Sequence, residues 1–188
     1  MLLAPIRGNA GHRKEDDLCD AKEGWAEFVA TTSTCYGVDM GCLSSAFAGE
    51  QEQYYLQTGQ WSDLSPQQLL GPPVVLASYD LNTVQLADIQ RPTAQFTMTL
   101  EGCGEHTPVD GFAGWFDVAF AGSVDNPATE RIELDTSPCE AGSTHWGQQA
   151  FYLHPSQAAA AGDVMVGEFE MARFANRSLF STYFSVLF

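Results

Sequence analysis

The spacing of apolar positions changes period about a third of the way along the chain. Near the start, Trp25, Phe28 and Val29 recur at i, i+3 and i+4, the stripe of a short helix, and Asp20 with Glu23 three residues later has the form of a capping box for it. A second helical stretch is predicted from near Val38, with Met40, Leu43 and Phe47 on one side. A Gln- and Tyr-rich piece (Gln51, Gln53, Tyr54, Tyr55, Gln57) then leads to Trp61. In Ser65-Pro66-Gln67-Gln68, a capping serine, a proline at the first helical position and a Gln at N3 predict one helical turn. From Val74 onward the period is two. It is clearest where Ala94, Phe96, Met98 and Leu100 alternate with Gln95, Thr97, Thr99 and Glu101.

Further strands are predicted over 112–120, 131–135, 147–153, 164–171 and 179–188, with turns at Gly102 and Gly104, Asp125-Asn126-Pro127, Ser137-Pro138 and Gly162-Asp163. The Ala158–Ala161 run reads as a loop or a helical turn, and there is no internal repeat. Successive strands without intervening amphipathic helices define a mainly β chain, an antiparallel barrel or sandwich from about residue 71 to the end behind a helical preface. At 188 residues the chain is long enough for one compact domain with a substantial core.

Charge narrows the range of partners. Asp and Glu number 24 against 8 Lys and Arg, a net charge of −16, which argues against nucleic acid. The acids are scattered along the chain, so they serve solubility or the attraction of basic polypeptide. With 45% hydrophobic and 17% charged residues the composition is globular, and no apolar stretch approaches the roughly 20 residues of a membrane span. The five cysteines (Cys19, Cys35, Cys42, Cys103, Cys139) contain no CxxC pair and are odd in number, favouring a reducing compartment over a disulfide framework or a zinc ribbon. Met1-Leu2-Leu3 is followed by Pro5 and Arg7 without an apolar core, a poor signal peptide, and the sequon Asn176-Arg177-Ser178 is read as chance.

Most catalytic patterns are missing. Gly37-Val38-Asp39-Met40-Gly41-Cys42 has one glycine where a nucleotide-binding loop needs several, and neither GxxxxGK[ST] nor GxGxxG occurs. There is no Gly-x-Ser-x-Gly elbow, and His12, His106, His145 and His154 lack ligand spacing. Thr144-His145-Trp146-Gly147-Gln148-Gln149 differs, because it places an imidazole, a large aromatic ring and two amides at the entry to a strand. Trp115 and Phe116 read as core or interface residues.

At this cluster the chain resembles the C-terminal β-barrel half of the class I protein arginine methyltransferases, most closely the plant-type members. The resemblance is carried by Tyr36-Gly37-Val38-Asp39-Met40, by Gly111-Phe112-Ala113-Gly114-Trp115-Phe116-Asp117-Val118, by Leu134-Asp135-Thr136-Ser137-Pro138 and above all by Thr144-His145-Trp146-Gly147-Gln148-Gln149. It implies a bipartite enzyme: a Rossmann half that binds S-adenosylmethionine, then this barrel, with an inserted helical arm for dimerisation. On that pattern residues 1–35 are a lead-in and short helix left from a linker to the missing half, 36–70 the dimerisation arm and 71–188 the substrate-binding barrel. Tyr54, Tyr55 and Trp61 become arm contacts. Thr144, Trp146, Tyr36, Asp39 and Met40 become substrate-binding residues, and His145 the catalytic residue that helps remove the guanidinium proton.

The implied partners are Arg-rich protein or histone-tail substrates and a second methyltransferase chain, in the cytoplasm or nucleus, with no membrane and no metal. The methyl-donor loop and the paired glutamates of the family lie upstream of the stretch this chain covers. The expectation is therefore that this polypeptide alone binds no S-adenosylmethionine and is inactive. A non-catalytic module that pairs with a full-length methyltransferase, and an unrelated β-sandwich binding domain, are the alternatives.

Overall fold

The computed structural model describes residues 1–8, 14–138, 144–173 and 180–187. Every strand pair among them is antiparallel. A five-stranded sheet has the order β2-β8-β5-β1-β3, formed by β1 (Leu2–Ile6), β2 (Gln60–Ser62), β3 (Val74–Val75), β5 (Thr107–Trp115) and β8 (Gln148–Ala159). A three-stranded sheet, β10-β9-β4, contains β4 (Thr93–Thr99), β9 (Val164–Arg173) and β10 (Phe180–Leu187). The hairpin of β6 (Asp117–Gly122) and β7 (Pro127–Asp135) makes the third, two-stranded sheet.

The larger core cluster joins the first two sheets. Leu3, Val109, Phe112 and Ala159 come from the five-stranded sheet, Phe96, Met98, Met165 and Phe169 from the three-stranded one, and Leu70, Leu76 and Leu100 from the connections. A second cluster covers the other face of β1 and β5 with Ala4, Ile6, Ala113, Trp115, Ala150 and Leu64. β5 is therefore buried on both faces and loses alternation from Gly111 to Trp115, whereas β4 alternates buried and exposed positions as its sequence predicts.

Residues 1–35 differ from the expected lead-in. Residues 2–6 form β1, paired with β5 on one side and β3 on the other. α1 runs from Lys14 to Tyr36, so Asp20 and Glu23 lie inside the helix rather than capping it. After a 3-10 turn over Gly41–Leu43, α2 spans Ser44–Gln57, starting later than the stretch predicted from Val38. α1 and α2 form a helical hairpin over residues 14–57, called the arm below. Trp25 clamps it, stacking on Phe47 with ring centroids 4.5 Å apart and donating from Nε1 to Ser44 Oγ at 2.8 Å. Lys22 and Glu52 pair across the helices at 2.8 Å. A two-helix hairpin has little interior, so Phe28, Tyr36, Val38, Leu43 and Tyr54 stay exposed.

Other sequence expectations are met or adjusted locally. The predicted turn at Ser65–Gln68 forms with both capping-box bonds, one of them from Ser65 N to Gln68 Oε1 at 3.0 Å. The strand predicted over 112–120 breaks at Phe116 into β5 and β6, and Ala158 and Ala159 continue β8 rather than form a loop. A short helix, α3 (Leu86–Gln90), was not expected. His12, Cys139, Gly142 and the sequon Asn176-Arg177-Ser178 lie outside the described residues.

Candidate functional site

Thr144, His145 and Trp146 form a turn leading into β8, closed by Gly147 N donating to Thr144 O at 3.0 Å. The His145 and Trp146 rings lie 4.4 Å apart, and Trp146 meets Phe116 edge-on at 5.8 Å. His145 is exposed and Trp146 is 49% exposed, so both rings offer surface to solvent. Thr144 Oγ1 is shielded from solvent and has no hydrogen-bond partner among the described residues.

Beneath the turn lies a polar frame whose connections the sequence does not reveal. Gln148 is 1% exposed, yet both ends of its carboxamide are satisfied: Oε1 accepts from Leu64 N at 2.9 Å and Nε2 donates to Thr136 O at 2.9 Å. The buried Thr136 hydroxyl donates to Phe116 O at 2.7 Å and accepts from Phe116 N at 3.2 Å. One side chain thus joins the chain leaving the arm to the end of the β6–β7 hairpin at the root of the turn. Buried polar groups stabilise a fold only when they are paired in this way.

Trp61 belongs to the same site. It lies on β2, opposite Gln149 of β8, and its Nε1 donates to Trp146 O at 2.9 Å. Tyr54 and Tyr55 contact each other edge-on at 4.9 Å near the C-terminal end of α2. Tyr36, Asp39 and Met40 are not brought to the turn. Tyr36 ends α1, and Asp39 and Met40 lie in the α1–α2 connection, where Asp39 Oδ1 accepts from Gly41 N at 2.8 Å and Met40 O from Leu43 N at 3.1 Å. The 14 residues of α2 separate that connection from β2 by about 20 Å of helix.

Asp117 and Asp135 face each other at the open end of the β6–β7 hairpin, next to Phe116 and Thr136. Desolvation, then the neighbouring Asp135 carboxylate, hold the Asp117 carboxyl above its ordinary range. Asp135 is held below its own, chiefly by the backbone N–H of Ser137, which donates to Oδ1 at 2.8 Å. A carboxyl with a raised folded-state pKa favours the fold while protonated, and that contribution is lost as pH rises from its unfolded value through its folded one. Asp117→Asn should therefore raise the thermal midpoint at pH 7 and leave it unchanged at pH 3, where the carboxyl is protonated in both states. Melting curves at the two pH values check this.

The architecture is that of an antiparallel β domain with a long helical insertion and a conspicuous His-Trp turn at its edge. The sequence pattern of the arginine methyltransferase oligomerization subdomain matches residues 16–183, and the chain belongs to the protein arginine methyltransferase family. It is 42% identical over 163 residues to protein arginine N-methyltransferase PRMT10 of Arabidopsis thaliana, covering 87% of this chain and 42% of that protein. It is 41% identical over 173 residues to the PRMT10 of Oryza sativa subsp. japonica, covering 92% and 45%. The crystal structure of Arabidopsis thaliana protein arginine methyltransferase 10, described as a uniquely open conformation, superposes with a TM-score of 0.75 at 35% identity, over 97% of this chain and 58% of that one. The chain thus spans less than half the length of these curated relatives and corresponds to their C-terminal barrel and oligomerization region.

Proposed function

We propose that this chain is the acceptor-side shell of an enzyme that transfers methyl groups from S-adenosylmethionine to arginine in proteins, and that it is inactive alone. The observation that carries this reading is the Thr144–His145–Trp146 turn with its exposed His145 and Trp146 rings, mounted on a satisfied polar frame in a chain that belongs to the arginine methyltransferases. Arginine stays protonated near neutral pH. Its methylation needs a guanidinium nitrogen in line with the sulfonium methyl carbon, so that the C–N bond forms as the C–S bond breaks toward sulfur and the nitrogen releases a proton. Carboxylates clamp the planar guanidinium in two-point contacts, and alignment supplies several kcal/mol of the barrier.

On this reading Trp146 walls the guanidinium slot. His145, paired with an acidic residue of the donor-holding half, helps take the proton. The excess of acids, with Asp117 and Asp135 beside the turn, suits Arg-rich protein or histone tails. The α1–α2 arm, with Tyr36, Val38 and Leu43 exposed near its tip, suits pairing with a second methyltransferase chain in the cytoplasm or nucleus. On this reading S-adenosylmethionine is held by another part of the enzyme, the donor-binding half of the family.

Isothermal titration of the chain with S-adenosylmethionine should give no heat of binding; micromolar binding would overturn the assignment of halves. Titration with an arginine- and glycine-rich peptide should shift the NMR signals of His145 and Trp146. A peptide that leaves both unmoved would remove the turn from the acceptor site.

A further inference from the structure

We propose that Trp61, on the strand by which the arm returns to the sheet, is a positioning residue that holds the His145–Trp146 turn in shape, so that arm and turn move as one unit. The proposal rests on the acceptor-site reading only for what the turn contacts. Its geometry stands on its own.

Three observations converge on this pair of segments. The Trp61 indole N–H donates to the Trp146 carbonyl across 85 positions of sequence, fixing the peptide that joins Trp146 to Gly147, directly after the imidazole and the indole of the turn. Gly147 has φ +54°, and a Cβ there would lie 2.5 Å from Trp61 Nε1 and 2.6 Å from its Cε2, so the Trp61 ring fills space that only glycine leaves open. β2 pairs Trp61 with Gln149 and Ser62 with Gln148, so arm and turn share the first rungs of one ladder.

Burial does not account for this tryptophan, because 57% of its surface remains in water while its polar atom is committed to the turn. Trp146 in turn touches His145 and Phe116, so a displacement of its backbone shifts both ring contacts. α2 leads directly into β2, and a partner that moves the arm has a short mechanical route to the imidazole.

Trp61→Phe keeps a ring and removes the donor. In the full chain, NMR should show the Trp146 indole and His145 imidazole signals shifted, the Trp25 and Trp115 indole signals unmoved, and the Gly147 amide exchanging about tenfold faster, with little change in thermal midpoint. Unchanged His145 and Trp146 signals would overturn the proposal. A double-mutant cycle supplies the second test. Gly147→Ala should be better tolerated beside Trp61→Ala than in the parent chain, and strictly additive effects would show that Trp61 does not set the conformation at 147. Neither measurement contains arginine, so both succeed or fail independently of the peptide titration that tests the acceptor-site reading.

Discussion

Gln148→Leu should cost the fold about 2–6 kcal/mol, because two buried backbone groups lose their partners at about 1–3 kcal/mol each. Leucine preserves much of the volume but neither bond. The Leu64 N–H and the Thr136 carbonyl, now held at 2.9 Å each, would face an apolar side chain. Against a typical stability of about 5–15 kcal/mol this is a large fraction. Gln149→Leu, one residue along and exposed, changes the same chemistry on the other face of β8 and should stay within about 0.5 kcal/mol. Urea unfolding of the two variants separates them, and equal midpoints would show that the frame contributes nothing beyond the strand pairing around it. Gln148→Glu should fall nearer the leucine variant than the parent, since it keeps the acceptor for Leu64 N and aims a carboxylate at the Thr136 carbonyl.

Phe112→Ala should destabilise by about 3–5 kcal/mol, the range for emptying a buried aromatic site. Phe112 is fully buried on β5 and meets Phe96 of β4 edge-on at 5.8 Å, so its ring is a direct contact between the five- and three-stranded sheets. Truncation opens a void between two layers that are each tied by their own hydrogen bonds and cannot readily collapse into it. The denaturant midpoint should fall with the slope unchanged. A loss below about 1.5 kcal/mol, the cost of a tolerated volume-conserving swap, would mean that the sheets repack without this contact.

Much of the β architecture is legible in the sequence because one face of β4 and of the described part of β9 is wet. In β4 the alternation of Phe96 and Met98 with Gln95, Thr97 and Thr99 maps directly onto burial. β1 is hidden for the opposite reason: both of its faces are buried, so it does not alternate, and Pro5 argues against a central strand. The start of α1 is obscured because its early turns are polar and acidic, while Asp20 and Glu23 imitate a cap in mid-helix. The arm has no wide apolar stripe to announce its length, since each helix packs mainly on the other.

At the site, Thr144, His145 and Trp146 stand out as an unusual combination of residue types in a row. Gln148 stands in the same row and Thr136 in the Leu134-Asp135-Thr136-Ser137-Pro138 stretch, but neither announces its burial or its partners. A buried amide looks like any surface glutamine until its partners, 12 and 84 positions away, are folded against it. Trp61 was readable as a prominent aromatic of the arm. Its bond to Trp146 was not, because no local pattern encodes a contact that depends on sheet order.

That order also shapes how the helical insertion is anchored. The chain departs from β1 and comes back at β2, and the two are separated in the sheet by β5 and β8. At about 4.8 Å per neighbouring strand, the footings stand roughly 14 Å apart. The helical insertion therefore begins and ends on different strands of one sheet rather than at a single hairpin corner. Replacing it with a tight two-residue turn would pull an edge strand out of place, whereas about five extended residues would cross the gap.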